Sequence, residues 1–456
     1  MAKTYKALQT VVVGAGGAAS INFTNIPQNY DDLIIKHSLR SNHAQIYEYC
    51  GVRFNSNSSS IYSLKNLRGN GSTVISQTLT NQTRFEFEMA EGNTATSNTF
   101  SNGEFYIPNY RGSANKSVSS ESVQETNATL AYSAMDAGIW ASTAAITDIQ
   151  IFPTVGTLWN QYSMATLYGV GGARATGGTI TADGLYTYHT FTSSGAFIPL
   201  ENIEGIDYLV VAGGGGGAGW YGGGGGAGGL RSSRVRTGGG GSVQNQINAI
   251  AGTTYSVTVG SGGASQTNGN NSIFANVMST GGGRGGSYQS NAPGGNGGSG
   301  GGGGAGNAVG GVWLPGGTGT ANEGYGGGTG HASNAGAPGG GGAGAAASNA
   351  PASPNGTATD GGIGVELAVF ANPTGTGSNN YYAGGGGGGS TVGGGNGVYA
   401  GVGGLGGGGA GSLVANSGTG VAGTANTGGG GGGSAYNVNS GGAGGSGIVI
   451  VRYPNT

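Results

Sequence analysis

The chain has 456 residues, of which 110 are glycine and one is cysteine, and its net charge is −2. The lone cysteine, Cys50, excludes an internal disulfide framework and a cysteine-built metal site. With no basic cluster there is no footprint for nucleic acid, and no apolar run reaches the roughly 18 residues of a membrane-spanning helix.

The two parts of the chain are different materials. Residues 1–204 hold 18 glycines, 11 Lys/Arg and 14 Asp/Glu, whereas residues 205–456 hold 92, 5 and 4. The opening MAKTYKALQTVVVGAGGAAS loosely imitates a secretory leader, but its apolar core is only Val11–Val13, interrupted upstream by Gln9 and Thr10. The protein is expected to be made in a cytoplasm and carried elsewhere by assembly.

Residues 1–170 are predicted to be an all-β domain. SINFTNI (20–26), DLIIKHSL (32–39), QIYEYCGVRF (45–54), RFEFEMA (84–90), GEFYIP (103–108), ITDIQIF (146–152) and YSMATLYGV (162–170) alternate with period two or are rich in β-formers. Turn clusters such as NSNSSS (55–60) separate them. Seven or more strands without a convincing helix predict a β-sandwich, jelly-roll-like. Residues 171–204 read as a junction with a strand-like segment around the turn at Asp183–Gly184.

Residues 205–456 form the glycine-rich domain, bracketed by DYLVVA (207–212) and GIVIVRY (447–453). A flexible linker has no reason to end in β-formers or to carry two tryptophans. The bracketing strands are expected to pair, with glycine-rich excursions leaving and returning between them. GGGGAG occurs at 214–219 and 223–228, and unbroken glycine runs occupy 384–389 and 428–433. GAGAAASNAPASPNG (342–356) breaks any Gly-X-Y period, which excludes collagen. What remains is packed helices of the polyglycine II type, whose backbone groups bond only to neighbours. The fold class is thus mostly β, with a disordered glycine tether as the competing reading.

Enzyme motifs are absent or cheap. GxGxxG is met at Gly214, Gly216 and Gly219, but the following WYGGGGGAGGLRSS cannot be the required helix, and no acid follows before Glu323. GxSxG at Gly297, Ser299 and Gly301 lacks a base at any recognisable spacing, and the histidines show no metal-ligand spacing. The acids Glu86 and Glu88 share one strand face and read as solvated surface. No catalytic, cofactor or metal residues are assigned.

Binding suits the sequence better. Trp220, Tyr221, Tyr288, Trp313, Tyr325, Tyr381, Tyr382, Tyr399 and Tyr436 sit beside glycine runs, where loops between rods are expected. Rigid amphipathic rings with Ser, Asn and Gly make a recognition surface at low entropic cost. The bland alternative is that each ring covers bare glycine backbone.

HTFTSSGAF (189–197), YLVVAGGGGGAG (208–219), YSVTVGSGG (255–263) and GGSGIVIVRY (444–453) together resemble the glycine-rich domain of tailed-bacteriophage virion proteins. The resemblance implies a tail fibre or fibre-tip adhesin whose loops touch a host cell-surface glycan or protein. It also implies attachment to other virion proteins through residues 1–170, a homo-oligomer such as a trimer, and a place on the virion exterior. A capsid-decoration or head-fibre protein stays open as the alternative, and a polysaccharide depolymerase as a third reading.

Overall fold

The computed structural model describes residues 5–69, 71–125, 131–172, 174–305, 313–332, 336–352, 356–390, 399–413 and 418–455, without the side chains of Glu88 and Met89. The chain divides into two compact units between residues 173 and 174.

The first unit contains β1 (Tyr5–Val12), β2 (Ile21–Phe23), β3 (Asp32–Ser38), β4 (Tyr47–Phe54), β5 (Tyr62–Gly69) and β6 (Val74–Gln82). It continues with β7 (Phe85–Glu91), β8 (Asn102–Ile107), β9 (Lys116–Glu125), β10 (Ala131–Trp140), β11 (Ile149–Pro153) and β12 (Met164–Val170). Within the leader-like opening, Tyr5–Val12 is an edge strand. Two antiparallel sheets make a sandwich: β1-β12-β3-β8-β9-β10-β5-β6 and β2-β11-β4-β7. Alternation explains the core. Phe85 and Phe87 of β7 are fully buried, as are Phe54 of β4 and Tyr62 of β5. Phe85 meets Tyr62 edge-on at 5.0 Å and Phe54 at 5.6 Å, a geometry that aligns ring edges with ring faces.

Five of these strands, β1, β5, β6, β9 and β10, carry no clear apolar period in the sequence. In β9 the inward residues are Lys116, Val118, Ser120, Ser122 and Gln124. Asp136 of β10 is buried too, held by the Asn66 amide at 2.7 Å and the Ser120 hydroxyl at 2.9 Å. A polar inner face that is hydrogen-bonded costs little, but it hides the strand from a hydrophobicity pattern.

The second unit opens inside the stretch read as a junction, with β13 (Ala175–Thr176), β14 (Thr179–Ala182), β15 (Tyr186–Phe191) and β16 (Gly195–Pro199). Then follow β17 (Ile203–Val211), β18 (Leu230–Ser232), β19 (Ile247–Ala249), β20 (Tyr255–Thr258), β21 (Ser272–Phe274) and β22 (Val277–Ser279). After β23 (Val365–Glu366) comes the only helix among the described residues, α1 (Ala368–Thr374), then β24 (Tyr381–Tyr382) and β25 (Ile448–Pro454). The bracketing strands pair as expected: β17 lies antiparallel to β25, from Asp207 opposite Arg452 to Val211 opposite Ile448. Tyr208–Val211 and Ile448–Val451 within them are continuous apolar runs because both faces of their sheet are covered. Tyr208, Val210, Val449 and Val451 pack with Phe197 and Phe274 on one side. Leu209, Val211, Ile448 and Ile450 pack with Ala227, Phe370 and Tyr382 on the other.

The glycine runs are ordered rods, and their hydrogen bonds show the helix. Along 222–229 the donors change partner with period three. Gly222, Gly225 and Gly228 donate to the carbonyls of Ser434, Gly431 and Gly428, and Gly223, Gly226 and Gly229 to those of Gly286, Gly283 and Thr280. Gly224 and Ala227 donate to Pro338 and Gly341. The same rod accepts from 213–218, 299–305 and 384–390, through Gly215, Gly302 and Gly386 among others. Three residues per turn with six neighbours is a polyglycine II lattice. Each bond returns only ~0.5–1.5 kcal/mol net, while ordering a residue costs ~1–2 kcal/mol, so the strand core must anchor the rods. Glycine is obligatory for spacing: a Cβ at Gly225 would stand well inside contact distance of the Gly215 carbonyl.

Candidate functional site: the loop end of the glycine bundle

The rods have a strand end and a loop end. Residues 213–218 run away from β17 and 222–229 return to β18, so Gly219–Gly222 is a turn at the far end. Residues 281–286 leave β22 alongside, which puts the 287–292 loop at that end as well, closed by a bridge between Ser287 and Ala292. Residues 428–434 pair with 222–228 and deliver the 435–440 loop there before 441–447 return to β25.

These three loops are stitched to one another by backbone. The Trp220 N–H donates to the Val438 carbonyl at 2.8 Å, and the Tyr288 N–H donates to the Trp220 carbonyl at 3.3 Å. Four of the nine aromatic candidates converge on this seam. Trp220 meets Tyr436 edge-on at 5.4 Å, Tyr221 lies tilted on Tyr436 at 5.1 Å, and Tyr288 meets Tyr221 edge-on at 5.6 Å. The Trp220 indole N–H donates to the Asn439 side-chain carbonyl at 2.5 Å. Tyr436 is exposed and the other three rings are half-buried, so their rotamers are fixed while ring surface faces solvent.

The backbone beneath the rings is unusual. Trp220 and Tyr221 have φ of 54° and 49°, two consecutive bulky residues in the left-handed region. A turn with φ positive at both central positions ordinarily takes Asn-Gly or Gly-Gly. Left-handed conformation costs a side chain with a Cβ about 1–2 kcal/mol per residue. The lattice fixes the turn, and two large rings occupy it despite the cost.

The other candidates separate. Trp313 is exposed at the loop end and packs on His331 at 4.5 Å. Tyr399, also at the loop end and exposed, donates to the Asp360 carboxylate at 2.8 Å, a bond that raises its phenol pKa. Tyr325 lies near the strand end, just after the Thr320–Glu323 turn that brings Glu323 to Arg231 at 2.9 Å. Tyr381 and Tyr382 form β24 at the strand end. Tyr382 is fully buried in the core, its hydroxyl 2.7 Å from that of Thr376 and its pKa pushed up to about 12 by burial. It is a packing residue and cannot touch a ligand in this conformation. Tyr381 approaches Glu366 at 3.5 Å.

Asn439 and the seam carbonyls escape a search for aromatics. The signal that could have found them is that YNVNSGG, like Trp220–Tyr221, is separated by only two residues from the end of a long glycine run. The Glu86 carboxylate pairs with Arg84, as a solvated strand face would. The Glu88 side chain lies outside the described residues.

The arrangement is a rigid, uncharged platform of rings and amides held on a backbone lattice. Among the described residues no group of three His, Cys, Asp or Glu could hold a metal ion. A β-sandwich followed by a strand-anchored polyglycine lattice defines a glycine-rich structural class. The glycine-rich domain family matches residues 190–454, more than half of the chain, and the chain belongs to it. No curated protein and no solved structure matches the chain.

Proposed function

We propose that the chain is a structural component of a tailed-bacteriophage virion, a tail fibre or fibre-tip adhesin. Its loop end binds a host cell-surface glycan or protein, and its first unit attaches to other virion proteins. The observation that carries this reading is the Trp220–Tyr221–Tyr288–Tyr436 platform, pre-ordered by cross-loop bonds and built on a strained turn. Strain at a site the scaffold holds fixed supports a role for the side chains themselves. Pre-ordered rings also bind without the cost of freezing loops.

Immunogold labelling of virions that encode this chain tests the placement. Label at fibre tips supports the adhesin, and label spread over the capsid supports a decoration or head-fibre protein. Label confined to the host cytoplasm refutes both.

A further inference from the structure

The eight-stranded sheet of the first unit curls. Tyr5 and Val170 near one edge and Ser76 and Gln77 on the other border the same hollow, a cavity of about 1110 Å³. A second hollow of about 560 Å³ shares Lys65, Thr78, Tyr106, Ser119 and Ala137 with it and extends it along the strands. A groove of this size stands at the upper end of small-ligand sites.

Strand register gives its floor. One row across six strands reads Lys36, Glu104, Glu121, Met135, Leu67, Ser76. The adjacent row reads Ile34, Tyr106, Ser119, Ala137, Lys65, Thr78. Glu104 and Glu121 are thus directly opposed on neighbouring strands, an arrangement that destabilises a sheet. Lys36 reaches Glu104 at 3.2 Å. The Glu121 side chain is exposed and makes no ion pair or hydrogen bond among the described residues. Beside it Met135 and Leu67 present 61% and 48% of their surface to solvent.

We propose that this groove binds a neutral oligosaccharide. The floor is a sheet face whose backbone groups are spent in the ladders, so an occupant is read by side chains alone and not by strand addition. The two lysines and two glutamates of the rows cancel, and Asp136, which also borders the hollow, turns its carboxylate to the inner face against Asn66 and Ser120, so the floor matches an uncharged ligand and disfavours polyanions and polycations. Met135, Leu67 and Ala137 offer apolar contact for the C–H faces of sugar rings. Ser76, Thr78 and Ser119 line the floor with hydroxyls that both donate and accept. Glu121 supplies a carboxylate whose two oxygens can accept from adjacent sugar hydroxyls, and that role accounts for a like-charge pair the fold does not need.

The test uses the full chain on an immobilised set of neutral hexasaccharides (malto-, cello-, manno-, galacto- and β-1,3-gluco-), with hexalysine as the alternative probe. At least one hexasaccharide should bind. Glu121→Ala and Met135→Lys should each weaken it about tenfold or more, and Val155→Ala, at an exposed position outside the groove, should leave it unchanged. Both groove side chains stand in solvent, so melting curves of these variants should overlay the parent. The proposal is overturned if no hexasaccharide binds at about 10 mM, if the groove variants bind as the parent does, or if hexalysine alone is captured. Loss on Trp220→Ala alone would place sugar binding at the glycine loops and also overturn it.

Discussion

Arg452 on the closing strand lies directly across from Asp207 on the opening strand, 245 residues earlier, with a nitrogen 3.1 Å from the carboxylate and both side chains 3% exposed. Asp207 also accepts from Ser233 and Gln246, and Arg452 lies over the Tyr186 ring at 4.2 Å. This pair closes the loop that contains every glycine rod. Removing one partner of a buried pair strands the other charge, at about 3–5 kcal/mol. Arg452→Ala is expected to destabilise the second unit at the lower end of that range, because Arg234 stands 3.6 Å from Asp207 as a partial substitute. The double change Asp207→Asn with Arg452→Met should cost less than Arg452→Ala alone. Denaturant titrations of the three proteins check both statements.

Glycine in the rods is a spacing requirement, and glycine at an open position such as Gly16 is not. A Cβ at Gly225 meets the Gly215 backbone, which other rods hold in place, whereas a Cβ at Gly16 meets nothing within 4 Å. Gly225→Ala should lose about 3 kcal/mol through forced separation of rods. Gly16→Ala should be neutral or gain up to about 1 kcal/mol by restricting the unfolded chain. Thermal melts of the two variants measure the contrast.

Two buried groups of the first unit give opposite pH dependences. Burial lowers the His37 pKa to about 3, and neither ring nitrogen has a partner. The unfolded chain therefore binds the proton first, and stability is lost as pH falls from about 6.5 towards 3. Burial raises Glu91 to about 7, with one carboxylate oxygen unpartnered. Here the unfolded chain releases the proton first, so stability is present below about 4.5 and lost as pH rises towards 7. His37→Phe should stabilise more at pH 5 than at pH 8. Glu91→Gln should do the reverse, with a difference on the order of 2–3 kcal/mol. Chemical denaturation at the two pH values decides each sign.

The sequence exposes what hydrophobic pattern can carry. DYLVVA and GIVIVRY announce strands covered on both faces, and they pair. β9 and β10 stay hidden because Ser120, Ser122, Gln124 and Asp136 face inward. The groove is invisible for the same reason, since Glu104 and Glu121 become neighbours only once β9 is placed. Among the aromatics, adjacency to a glycine run does not say which end of a rod a residue occupies. Trp220–Tyr221 end a rod that began at a strand, while Tyr381–Tyr382 begin one, and only the hydrogen-bond ladder separates loop end from strand end.

The strained turn allows function and stability to be separated. Replacing Trp220–Tyr221 by Asn-Gly relieves two left-handed residues, about 1–2 kcal/mol each, and gives up three ring contacts of about 0.5–1.5 kcal/mol each. Stability should stay within about 1 kcal/mol of the parent. The most direct test of the account is equilibrium binding of the full chain to intact cells of a strain that retains it, measured for the parent and for this variant. The predicted result is at least about a hundredfold loss of binding with an unchanged melting temperature. Equal binding by the two proteins would contradict it.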